Sequence, residues 1–158
     1  MITKAAVGIL GLLASANALA ESWLCISDQS AGVSFKSGSW KAVTFTANDK
    51  YILRSVKEGD KNGLAFLVDS SATHLWSDFG NKDSTIPCRA ETNQGEKDSG
   101  WIRCGLLGVT VTFNKISQRF QHIYSLGFVV PYPNSQEGIK SQQGNTPAIT
   151  IGTCSQID

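Results

Sequence analysis

The stretch GVTVTFNKISQRFQHIYSLGF, residues 108–128, carries the reading of the fold. Val109, Val111 and Phe113 alternate with Thr110 and Thr112, the period-2 pattern of a strand with one buried face. The polar run Asn114-Lys115-Ile116-Ser117-Gln118 interrupts it. Phe120, His122, Tyr124, Leu126 and Phe128 then resume the alternation on one face. Two such runs joined by a short polar connection read as an antiparallel hairpin. The i, i+3, i+4, i+7 spacing of an amphipathic helix is absent.

The same grammar extends in both directions. Toward the N-terminus, residues 23–26, 32–36, 40–46 and 50–56 read as strands between Gly, Asn, Asp and Ser clusters. Residues 57–63 read as a turn, Leu64, Phe66 and Val68 as one face of a fifth strand, and 73–76 as a short sixth. Residues 77–84 form a polar loop. Residues 86–92 make a strand that Pro87 demotes toward an edge. The polar run 93–100 connects it to a returning strand at 101–106. Toward the C-terminus, 131–146 is a long loop with few apolar anchors, a length that is usually functional or disordered. Residues 148–157 close the chain as a strand with Ile149 and Ile151 on its apolar face. The expected class is all-β: an antiparallel meander of about 8–10 strands closing into a small barrel, with a two-sheet sandwich as the alternative.

The first twenty residues have the order of a secretory signal. Lys4 supplies a positive start, 5–13 an apolar run, and Ala18-Leu19-Ala20 a small-x-small cleavage pattern before Glu21. Residues 21–158 are then expected to form a single exported β domain. Lys4 leaves with the signal, so the remaining Lys and Arg balance the 13 Asp and Glu. A chain without basic excess has no long-range attraction to nucleic acid. No later segment is apolar for long enough to span a bilayer. The chain has no N-x-Ser/Thr sequon, which favours a bacterial exported protein, periplasmic or secreted.

The four cysteines, Cys25, Cys88, Cys104 and Cys154, all follow residue 20. An even count in an exported chain indicates disulfides. No C-x2-C pair exists and the two histidines are scattered, so no metal site is expected. Cys88 and Cys104 flank the 93–100 connection. Cys25 and Cys154 lie on the first and last strands, which pair when a barrel closes. The expected bridges are therefore Cys25–Cys154 and Cys88–Cys104. Strand alternation sets Cys25 opposite Leu24 and Ile26, and Cys154 opposite Ile149 and Ile151, away from the apolar side.

Candidate chemistry is thin. His74 has Asp69, Asp78, Ser70, Ser71 and Ser77 nearby in sequence, but no nucleophile-elbow motif accompanies it. It reads as a surface histidine at a strand end. His122, with Phe120 and Tyr124, is the candidate ligand-contacting set, in competition with an ordinary core position. Arg119 offers an anion-binding fork, or else a solvated strand end. Trp23, Trp40, Trp76 and Trp101 either line a cavity or fill a core. No catalytic residues and no cofactor are expected. The expected function is a non-enzymatic binding barrel for a small apolar ligand or a secreted protein partner. The alternative is an inhibitor or protective partner of a secreted hydrolase, with the 131–146 loop inserting into it. That outline resembles small periplasmic lysozyme inhibitors and lipocalins in class only, since no motif of either is present.

Overall fold

The computed structural model describes residues 21–36, 39–81, 85–92, 98–126 and 146–157. Nine strands run through them: β1 (Ser22–Lys36), β2 (Ser39–Phe45), β3 (Lys50–Ser55), β4 (His74–Asp78), β5 (Thr85–Thr92), β6 (Asp98–Leu106), β7 (Val109–Asn114), β8 (Arg119–Tyr124) and β9 (Ala148–Ile157). From β3 to β9 each strand pairs antiparallel with the next in sequence. β9 returns to pair with β1, and β1 pairs with β3. Eight strands thus close an up-and-down barrel, and β2 stands outside the ring. Closure, which a sandwich lacks, gives every strand of the ring two neighbours.

Residues 23–26 and 32–36, expected as two strands, belong to one. The first part of β1 pairs with β3, the later part with β2, and β9 runs along its other edge. The β1–β9 register slips between Ser27 and Gln29. A bulge bends a strand and sharpens its twist, so there β1 parts from β3, stays paired with β9 as far as Gly32, and takes β2 on its other edge. Ser27 is pinned at the bend, its backbone N–H and its hydroxyl both donating to the Asp49 carbonyl at 3.0 Å. Pro87 does not put its strand at an edge: β5 pairs with β4, where Pro87 faces Leu75, and with β6, whose ladder on β5 runs from Cys88 to Thr92 and so spares the proline a lost hydrogen bond.

Inward positions of all eight barrel strands form one cluster. It includes Trp23, Tyr51, Leu53, Trp76, Ile102, Val111, Phe113 and Phe120. Rings meet across the barrel: Trp23 and Phe113 at 5.1 Å, Tyr51 and Trp76 at 4.8 Å, Trp76 and Phe120 at 5.3 Å. An eight-stranded ring is narrow enough for side chains to fill. Trp23 and Trp76 fill it here, whereas Trp40 and Trp101 lie exposed.

Cys25–Cys154 joins β1 to β9 across the closing seam, and Cys88–Cys104 joins β5 to β6. The connectivity agrees with the sequence reading, but the faces are reversed. All four cysteines are buried in the core, while Ile26, Ile149 and Ile151 are exposed on the outer wall. The reason is space along the seam. Its inner face holds the Cys25–Cys154 sulfurs, the Ser30–Thr150 hydroxyl pair at 2.9 Å, and Gly152 beneath Phe120. Small groups take the interior, so the isoleucines turn outward.

Leu64, Phe66 and Val68, expected as a strand face, lie instead on a short helix, α1 (Leu64–Val68), which follows a 3-10 turn at Glu58–Asn62. β3 and β4 already pair directly, from Tyr51↔Asp78 to Ser55↔His74, which leaves no ladder position between them. The segment therefore packs outside the ring. Two forked ion pairs tether it. Arg54 donates from both terminal nitrogens to Asp60, at 2.6 and 2.7 Å. Arg89 donates to both oxygens of Asp69 at 2.7 Å. The Arg54 hydrogen bonds hold the Asp60 carboxyl at about 2, below the usual carboxylate range. Among the described residues no helix is long and apolar enough to cross a membrane.

Candidate binding surfaces

Phe120, His122 and Tyr124 share the inward face of β8, as their alternation requires. The structure sets them along a gradient from core to rim. Phe120 is buried against Tyr51 and Trp76. His122 is half-buried and stacked on Tyr51, with ring centroids 5.4 Å apart and planes 22° apart. Tyr124, also half-buried, ends the strand. Burial lowers the His122 pKa, and the carboxylates of Asp78 and Asp49 oppose that shift without reversing it. Burial, then the same two carboxylates, raises the Tyr51 pKa. Both rings are therefore held neutral, which suits stacking better than proton transfer at neutral pH.

His74 is buried, contrary to the surface position expected for it. It occupies an inward position of β4, opposite Ser55 and Cys88. Its Nδ1 shares a hydrogen bond of 2.9 Å with the Thr73 hydroxyl, and its Nε2 lies 3.7 Å from the Glu21 carboxylate. Lys115 Nζ reaches the same carboxylate at 2.6 Å. Asp69, one carboxylate near it in sequence, is engaged by Arg89, and Asp78 lies at the other end of β4. The His74 cluster thus seals one end of the barrel.

The outer wall presents a different surface. Outward positions of β6 to β9, with Asp28 of β1, line an open groove of about 670 Å³. Register places its residues in cross-strand rows. Trp101, Asn114, Arg119 and Thr153 form one row, and Arg103, Thr112, Gln121 and Ile151 the next. Trp101 is 41% exposed. Arg103 lies over its ring at 6.0 Å and is fixed from the other side by an ion pair with Glu91. Asn114 spends its carbonyl oxygen on the N–H groups of Ile116 and Ser117, which leaves its amide N–H2 to donate elsewhere. Arg119 is exposed and forms no ion pair among the described residues.

Of these groove residues, Arg119 and Trp101 carry a functional reading at the level of sequence, Arg119 as an anion-binding fork and Trp101 as one of four tryptophans that line a cavity or fill a core. The others are single polar or aliphatic residues spread over separate strands, and only the register brings them together. The 131–146 loop lies outside the described residues, apart from Thr146. No protein-family model matches the chain, and no curated protein or solved structure matches it.

Proposed function

We propose that this protein is an exported, non-enzymatic binding barrel that takes its ligand on the outer wall. The filled interior carries this reading. Aromatic rings and two disulfides occupy the space that a calyx would offer, with Trp76 1% and Phe113 0% exposed. A ligand inside would have to displace packed rings, and a fully buried aromatic is worth roughly 1.5–3 kcal/mol in burial alone. The groove needs no such displacement. It joins an exposed indole to two guanidinium groups and several amide and hydroxyl side chains, the mixture of apolar surface and placed polar groups that recognition sites use. The buried disulfides support export, because such bridges persist in oxidising compartments.

The test immobilises disulfide-bonded protein beginning at Glu21 and passes fractions of its own cell envelope and medium over it. Retained material should be lost in Trp101→Ala and in Arg119→Gln, and kept in Tyr124→Phe at the rim. Retention that ignores both groove variants overturns the outer-wall reading. Intact-mass measurement of the exported species tests compartment: the expected chain starts at Glu21, and a mature species retaining Met1 overturns export.

A further inference from the structure

We infer that the outer-wall groove binds an acidic oligosaccharide, with a sugar ring on Trp101 and an anionic substituent on Arg119. The inference rests on the outer-wall reading and names the class of ligand.

The charge argument comes from the arginines. The chain has four. Arg54 is paired with Asp60, Arg89 with Asp69 and Arg103 with Glu91. Arg119 alone carries no such carboxylate among the described residues, and it stands in the groove. Asp28 lines the same groove without an ion pair to Arg119, and a fork of N–H donors left unpaired matches a carboxylate or sulfate brought by a ligand. Trp101 supplies the second element. An exposed indole offers a flat apolar face to the C–H face of a sugar ring, and Arg103 is held in place by Glu91 and the indole together. Between and beside them, Asn114, Gln121 and Thr153 offer donors and acceptors to hydroxyl groups.

Spacing selects an oligomer over a single sugar. Trp101 pairs with Asn114 and Asn114 with Arg119, so two strand intervals, about 10 Å, separate the backbone positions of Trp101 and Arg119, and the groove runs one strand further to Thr153. A groove that crosses four strands is wider than one pyranose ring, so it has room for more than one unit of a chain. A peptide fits less well. Extended peptides gain affinity by adding to an open sheet edge, and the groove lies across strands whose edges are paired on both sides. A peptide there would lose its main-chain hydrogen bonds.

The experiment is a glycan array carrying uronate-, sulfate- and sialic-acid-containing oligosaccharides beside neutral ones. It is read with the disulfide-bonded protein and three variants, each checked for an unchanged melting temperature. Signal is expected on acidic oligosaccharides only. It should fall at least tenfold in Arg119→Gln and in Trp101→Ala, weaken with added salt, and persist in Lys61→Ala, in the 3-10 turn after β3 and outside the groove lining. Equal signal on neutral glycans, or signal insensitive to Arg119→Gln, overturns the acidic class. If no glycan binds while envelope material is still retained through Trp101 and Arg119, the saccharide inference falls and the outer-wall reading stands. If neither glycan nor envelope material binds, both fall.

Discussion

Gly152 is the position where one atom decides the closing seam. A Cβ there would lie 2.1 Å from the Ile26 carbonyl oxygen and 2.6 Å from the Phe120 ring. The first neighbour is backbone and cannot rotate away. Gly152→Ala should therefore cost at least about 1–3 kcal/mol as overpacking, read as a lower denaturant midpoint at unchanged slope. An unaltered midpoint would show that β1 and β9 yield without cost. His122 makes a second residue-scale prediction, in pH. Burial lowers its pKa in the fold, so near pH 6.5 the unfolded chain takes up a proton that the folded chain still refuses. Its contribution to stability is complete above the unfolded value and is lost as pH falls through the folded one. The melting temperature should drop between pH 8 and pH 5, and drop less in His122→Gln. Equal drops in both proteins would remove His122 as a source of acid sensitivity.

At the scale of elements, the β6–β7 connection is two residues, Leu107 and Gly108, both with positive φ (45° and 75°). Positive φ at both central positions marks the type I′ turn, which fits the twist of paired strands and favours Asn-Gly. Leucine is a poor occupant there, since its Cβ crowds the backbone for about 1–2 kcal/mol. Leu107 is also largely exposed and buries little in return. Leu107→Asn should raise the melting temperature, and no gain would mean that the exposed leucine makes a contact worth its strain. The same scale shows where reading by pattern failed. Leu64, Phe66 and Val68 alternate like a strand, yet alternation is read over a few residues and cannot register that β3 and β4 are already joined. In β9 the period of Ile149 and Ile151 was legible, but not its sign. A period-2 pattern has two faces, and only the neighbours across the seam decide which one has room.

For the molecule as a whole, the two disulfides give a comparison that needs no absolute energies. Both are buried and both link adjacent strands, but they are 129 and 16 residues apart in sequence. On the chain-entropy account the longer closure contributes about 5 kcal/mol and the shorter about 3 kcal/mol. Replacing Cys25 and Cys154 by alanine should thus destabilise more than replacing Cys88 and Cys104, in equilibrium unfolding without reductant. The reverse order would indicate that lost packing outweighs loop closure. By itself the sequence determined the all-β class, the meander, the hairpin of β7 and β8 as far as Tyr124 and the pairing of the cysteines. Those properties rest on local alternation, on turn chemistry and on which strands come first and last. Only the tertiary structure decided which face of each strand is inside, that β1 bends to serve both ring and extension, and that Trp101 and Arg119 share a groove. Those depend on shear and register around a closed ring, where residues far apart in sequence become neighbours and the volume left inside decides which side chains may enter.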